Sequence, residues 1–191
     1  AWYRKTFQLD SNLRGRKVML HFEGIMGKSK IWLNGRLIKE NFGGYFPIHI
    51  DLIEYLNPKG VNVVAVRADN SNDREYPPGK PQESLDFTYF GGIYRDAWLI
   101  AHNSTYVTHP LGVDKVAGGG VFVHYEDVSE ASARVCVQTD IANDDPAQTV
   151  RLELALKDSD GTIVATRSTS ISLSEKGSET AELEMTVEEP K

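Results

Sequence analysis

Asp69 and Asn70 close an alternating apolar segment, residues 61–69, at the point where it gives way to a long polar stretch. A carboxylate beside a carboxamide can accept from and donate to neighbouring hydroxyls, and Tyr76, Phe87, Tyr89 and Phe90 follow with flat apolar faces. Directional hydrogen bonds combined with an aromatic platform are what recognition of a sugar ring requires. Asp and Asn also begin turns on their own account, and their spacing leaves both readings open.

The run at 85–99, LDFTYFGGIYRDAWL, packs aromatics, a double glycine and an Arg-Asp pair between two apolar segments, where a short polar connection would be ordinary. It reads as the rim of a site. Gly91 and Gly92 allow backbone torsions closed to other residues, so the aromatic run can turn sharply into the next strand. Arg95 and Asp96 are adjacent, so in an extended chain their side chains point to opposite faces and seek different partners. The expected structural role is that Arg95 holds the loop to backbone carbonyls while Phe90 and Tyr94 fill core space.

Hydrolysis of a glycosidic bond needs two carboxyl groups held rigidly about 5 to 9 Å apart. Asp69, Asp73, Asp86 and Asp96 all fall in or beside loops and nothing singles out an acid and a base, so no catalytic residue is assigned. His21, His49, His102, His109 and His124 are scattered without ligand spacing, and no metal site is assigned. Cys136 is the only cysteine, which excludes an internal disulfide. Alternation through Val135, Val137, Thr139 and Ile141 sets Cys136 on the opposite face with Arg134 and Gln138, as a spectator thiol. Gly118, Gly119 and Gly120 precede a strand rather than a helix and so lack the geometry of a phosphate cradle. Asn103-Ser104-Thr105 matches a glycosylation sequon, a pattern short enough to arise by chance.

These residues must be positioned by strands. Short apolar segments of period two, separated by glycine, proline and asparagine turns, recur from end to end without a helical stripe, which predicts an all-β fold. Strands are expected at 3–9, 17–23, 29–33, 36–39, 46–51, 62–68 and 97–101. Asn34-Gly35 is the strongest turn signal, suited to a type I′ hairpin in which both central residues have positive φ. Residues 51–56 suit one helical turn capped by Asp51. From 69 to 86 the alternation fails, and a loop this long inside a domain tends either to bind something or to be disordered. After His102 a polar link, 103–105, leads to a half with few aromatics. There Val150, Leu152, Leu154 and Leu156 alternate with charged residues, as do Ala181, Leu183, Met185 and Val187, giving one buried and one wet face. The expected domains are residues 1–102 and 103–191.

The chain has 191 residues, is 40% hydrophobic and carries 21 basic against 27 acidic residues, a formal net charge of −6. With no basic stretch to track phosphates, a nucleic-acid partner is not expected. No apolar run reaches the length of a membrane span, and the N-terminus lacks a signal-peptide layout. The first residue already sits in a strand-like pattern and the last ones, Glu188 to Lys191, stop where a chain would pass on to another element, as in a piece excised from a longer protein.

The segments WYRKTF from Trp2, LHFEG from Leu20, KIWLNG from Lys30, Gly43-Gly44-Tyr45, VAVRADN from Val64 and FGGIYRD from Phe90 resemble, in order and spacing, the N-terminal sugar-binding domain of glycoside hydrolase family 2. Pro77-Pro78-Gly79-Lys80-Pro81 followed by Leu85-Asp86-Phe87 is most similar to β-galactosidase-type members from gut Bacteroidetes. The resemblance covers residues 1 to about 102. It implies a jelly-roll, galactose-binding-like β-sandwich, then an immunoglobulin-like β-sandwich, and in the parent enzyme a (β/α)₈ barrel with two catalytic glutamates. The barrel is missing, so this chain alone is expected to be inactive. The resemblance carries a galactose hydroxyl contact over to Asp69 and, less directly, to Asn70, with Tyr89 and Phe90 as the substrate-binding lip and Gly91, Gly92, Arg95 and Asp96 as the structural loop. It further implies a β-galactoside substrate, the catalytic barrel as partner and a periplasmic or secreted bacterial location. No cofactor is implied for this chain, and a cation in the parent enzyme is left open. Members usually have strands before Trp2 and after Lys191, so open sheet edges and self-association through them are expected. The alternatives are an autonomous carbohydrate-binding module and a structural spacer, the spacer suiting residues 103–191 best.

Overall fold

The computed structural model describes residues 1–190 apart from Tyr89 and Asp114. Its regular elements are antiparallel β-strands and short turns of 3₁₀ helix, so the all-β expectation holds. The chain divides into two units, Ala1–His102 and Asn103–Lys191.

In the first unit, β1 (Trp2–Phe7), β6 (Asn62–Asp69), β3 (Lys28–Leu33) and β4 (Arg36–Phe42) form one sheet in the order β1-β6-β3-β4. A second sheet has the order β5-β2-β7, with β2 (Lys17–Phe22) between β5 (Ile48–Asp51) and β7 (Ala97–His102). Period-two alternation points Ile31, Leu33, Val66 and Ala68 of the first sheet and Val18, Leu20, Phe22, Ile48 and Ile50 of the second into one buried core. This is a β-sandwich whose outer faces carry the charged residues.

The Asn34-Gly35 turn joins β3 to β4 with φ of 52° and 83°, as a type I′ turn demands. Asn34 also fastens the turn to β6: its Oδ1 accepts from the Val63 amide at 2.9 Å and its Nδ2 donates to Asn62 Oδ1 at 2.9 Å. Strand β4 runs three residues past the expected 36–39. Ile31 pairs with Lys39 and Trp32 with Leu37, so Ile38 is an extra, bulged residue. That bulge interrupts the alternation by which the strand would have been read. Asp51 Oδ1 accepts from the Ile53 amide at 3.0 Å, and the Leu56 amide donates to the Leu52 carbonyl at 3.1 Å, closing the single turn expected there.

In the second unit, β10 (Ser132–Asn143) is central. It pairs along one edge with β13 (Gly177–Glu188) and along the other with β8 (Thr105–Val107) and β9 (Val121–Glu126). A separate hairpin of β11 (Gln148–Lys157) and β12 (Ile163–Leu173) lays Leu154, Leu156 and Ala165 against Val135, Val137 and Met185. Its other end packs Val150, Leu152, Ile171 and Leu173 with Ile141 and Ala181. The alternation read at 150–156 and 181–187 thus marks the buried faces. The outer face of β10 departs from the wet face expected, since both Cys136 and Asp140 are only 2% exposed. A central strand is covered by side chains of its neighbours on either edge, which its own alternation does not record. Among the described residues no helix is long and apolar enough to cross a membrane.

Candidate functional site

The outward side chains of β6 are set by its pleat: with Val66 and Ala68 buried, Arg67 and Asp69 face out. The register places Asp69 opposite Lys28 on β3, and Arg67 opposite Trp2 on β1 and Lys30 on β3. Asp69 Oδ1 accepts from the Ser71 hydroxyl at 2.7 Å and the Ser71 amide at 3.1 Å, and Oδ2 accepts from Arg67 at 3.0 Å. The Ser71 hydrogen bonds foremost, and the Arg67 charge, hold the carboxyl below the usual carboxylate range. An ionised carboxylate has about four acceptor positions, so three bonds leave one on Oδ2.

Two open clefts meet at this pair. One, of about 250 Å³, is lined by Lys28, Ser29, Lys30, Glu40, Phe42, Arg67 and Asp69. The other, of about 390 Å³, is lined by Ala1, Trp2 and residues 67–71. Lys28 pairs with Asp73 and lies over the Tyr76 ring, 5.1 Å from its centre. The hydrogen bond to Asp73 raises the Lys28 pKa and, reciprocally, lowers that of Asp73. The turn reading of Asp69 and the open-cleft reading are both present in the geometry: the carboxylate caps Ser71 and still borders solvent-filled space.

Glycines bring the remaining segments to the same rim. Gly27 has φ +83°, and a Cβ there would collide with the Asp69 carbonyl and lie 2.9 Å from Asn70 Cα. At Gly91 a Cβ would lie 2.6 Å from Asn70 Nδ2, so the double-glycine turn packs directly on the Asn70 side chain. Gly92, with φ +83°, would bring a Cβ onto the Tyr3 hydroxyl. That hydroxyl accepts from the Ile93 amide at 3.3 Å, and the Gly92 carbonyl accepts from the Met26 amide at 2.9 Å.

The expected packing of the loop needs correction. Phe90 is 75% exposed and fills no core. Arg95 is exposed, with its guanidinium 5.6 Å from the centre of the Tyr94 ring, and holds no backbone carbonyl among the described residues. Tyr94 does the pinning instead, donating from its hydroxyl to the Gly44 carbonyl at 2.7 Å. The Asp96 carbonyl accepts from the Glu23 amide at 3.0 Å, while its side chain is at the surface. Tyr89 lies outside the described residues. Asp69, Asn70 and the turn at 91–92 are therefore brought together, and Phe90 projects beside them. Lys28 was missed by the sequence reading: its only signal was its place two residues before the strong Lys30–Gly35 motif.

Residues 1–103 match the family described as glycosyl hydrolases family 2, sugar binding domain. The chain belongs to glycosyl hydrolase family 2. Among family 2 relatives, a β-galactosidase of Thermoanaerobacter pseudethanolicus is 38% identical over 108 residues, covering 56% of this chain and 14% of its own length. A β-glucuronidase of Formosa agariphila is 31% identical over 170 residues, covering 86% of this chain and 17% of its own. The solved structure of Bacteroides uniformis β-glucuronidase 2 superposes on the whole chain with a TM-score of 0.86 at 27% identity, and the match spans 22% of that structure. The chain thus spans about a sixth of the length of these two curated relatives, which are glycosidases of two sugar classes.

Proposed function

We propose that the chain is a non-catalytic part of a retaining family 2 glycosidase acting on terminal β-galactosides, supplying one wall of its sugar pocket. In this reading Asp69 accepts a sugar hydroxyl at its remaining acceptor position, Asn70 adds a second polar contact, and Tyr89 and Phe90 form the apolar lip. The chemistry belongs to a (β/α)₈ barrel elsewhere in the parent protein: one glutamate attacks the anomeric carbon while another protonates the leaving oxygen. Hydrogen bonding from Asp69 that tightens toward the oxocarbenium-like transition state contributes to turnover rather than to ground-state binding.

The observation that carries the reading is the junction at the end of β6. Gly27 and Gly91 let two other segments close onto Asp69-Asn70 while the carboxylate still borders open clefts. The test is Asp69→Ala in the full-length enzyme, assayed on an aryl β-galactoside and an aryl β-glucuronide. Turnover of the galactoside is expected to fall about a hundredfold or more with a much smaller change in KM, the signature of a transition-state contact. Unchanged kinetics removes Asp69 from the pocket, and turnover of the glucuronide alone reassigns the sugar.

A second reading, carbohydrate binding by the chain on its own, is favoured by one feature. Trp2 is 67% exposed and stacks on Trp32 with ring centres 5.3 Å apart, presenting a flat aromatic face on the outer side of the sheet. Calorimetry of the chain against galactosides separates the two: heat of binding abolished by Trp2→Ala supports the module, and silence supports the partial pocket.

A further inference from the structure

The outer face of the β9-β10-β13 sheet gathers metal-ligating side chains that no element of the sugar site uses. The register sets His124 of β9 and Glu184 of β13 opposite Cys136 on either side, and Glu126 opposite Arg134. A ring nitrogen of His124, a carboxylate oxygen of Glu126 and Cys136 Sγ all lie within 4.8 Å of one another.

Two observations separate this trio from an ordinary polar face. Cys136 is 2% exposed and free. Second, Nδ1 of His124 is buried with no hydrogen-bond partner among the described residues. A buried polar atom left unpaired bears its full desolvation cost. The ring is held by stacking on Phe122, 5.7 Å between centres, and its Nε2 lies 3.4 Å from Glu126 Oε1.

We propose that His124, Glu126 and Cys136 form a binding site for a thiophilic divalent cation, with the donor set of a zinc site completed by water. Imidazole, carboxylate and thiolate together suit zinc, whereas calcium and magnesium require oxygen donors. Coordination displaces the thiol proton to solvent and leaves the sulfur as thiolate. Zinc–ligand bonds of about 2.0 to 2.3 Å put tetrahedral ligands about 3.3 to 3.8 Å apart, so donors already within 4.8 Å of one another close in by about 1.5 Å at most. Glu126, whose side chain is 44% exposed, has the freedom to move.

Arg134 is the competing charge, 2.6 Å from Glu126. It also reaches Asp127 at 2.7 Å and Glu184 at 3.4 Å, so it keeps two carboxylates when Glu126 turns to the ion. Three acids, Glu126, Asp127 and Glu184, face this one arginine, leaving the patch with an excess of negative charge.

Cobalt titration of the reduced chain tests the site, because Cys136 is the sole cysteine and any thiolate-to-cobalt charge-transfer band reports this position alone. The expected result is a near-ultraviolet band saturating at one Co²⁺ per chain and bleached by one equivalent of Zn²⁺. Cys136→Ser should abolish the band, and His124→Asn should weaken binding by about tenfold or more. The half-exposed His124 variant decides the matter should Cys136→Ser fail to fold. No band, or a band unchanged in His124→Asn, overturns the proposal.

Discussion

Asp69 and Asp140 each accept hydrogen bonds from a hydroxyl and a cation, and each is held below the usual carboxylate range, yet they serve opposite ends. The donors to Asp69 lie within two residues of it, Arg67 and Ser71. Those to Asp140 come from Thr108 at 2.7 Å, Thr180 at 2.9 Å and Lys115, three separate stretches of chain. Thr108 Oγ1 in turn accepts from the Gly120 amide at 2.9 Å, so the carboxylate clasps the glycine loop to the sheet. Burial pushes the Asp140 pKa up, and hydrogen bonds from Lys115, Thr108 and Thr180 outweigh it. Local donors orient a carboxylate without tying the chain together and leave it available to a ligand; distant donors consume it as a structural clasp.

The sharpest way to break this contrast is Asp140→Ala. It strands Thr108, Thr180 and Lys115 around a site that is 2% exposed, and breaking such a buried pair costs about 3 kcal/mol. Urea unfolding followed by far-ultraviolet circular dichroism measures the loss. Tryptophan fluorescence serves as an internal control, since Trp2, Trp32 and Trp98 all belong to the first unit. An unmoved unfolding midpoint would show that Asp140 is no clasp. The same carboxylate predicts acid sensitivity. Its folded pKa lies below the unfolded value near 3.8, so its stabilisation is complete above that pH and is lost as pH falls from 3.8 through the folded value. Asp140→Asn should remove this component of the pH dependence.

Next in size is a pair of glycines with the same φ. Gly27 and Gly35 both have φ +83°, but a Cβ at Gly27 meets the backbone of Asp69 and Asn70, whereas at Gly35 it meets nothing within 4 Å. Gly35→Ala should cost about 1 kcal/mol, the torsional strain alone. Gly27→Ala should cost more than about 2 kcal/mol, because backbone cannot yield as a side chain can. Thermal melting of both variants checks the difference; equal losses would mean that the β6 terminus gives way freely and is no rigid rim.

The hairpin at Asn34-Gly35 and the buried faces of β11 and β13 were legible because each rests on a local rule, positive φ at a turn or period two along a strand. Asp69 and Asn70 were legible as the end of such a period. What escaped was set by pairing across strands. His124 and Cys136 stand twelve positions apart yet face each other in register. Asp140 lies between Thr139 and Ile141 in a strand whose neighbours cover both faces. Phe90 was misjudged because aromatic character predicts burial only on average, and this ring, two residues before the Gly92 turn, is 75% exposed.

The smallest expected effect is also the most discriminating. Asp69→Asn keeps an oxygen to accept from Ser71 and removes only the charge, at a side chain that is 31% exposed and in solvent-screened contact with Arg67. Its effect on stability should stay within about 0.5 kcal/mol. If the melting temperature falls as far as in Asp140→Ala, Asp69 is a clasp as well, and its place beside two clefts is incidental. If stability is unchanged while the full-length enzyme loses turnover, the carboxylate is held in position by its own turn and is left for the substrate to use. The contrast between local and distant donors would then have separated a binding carboxylate from a structural one by the origin of the hydrogen bonds alone.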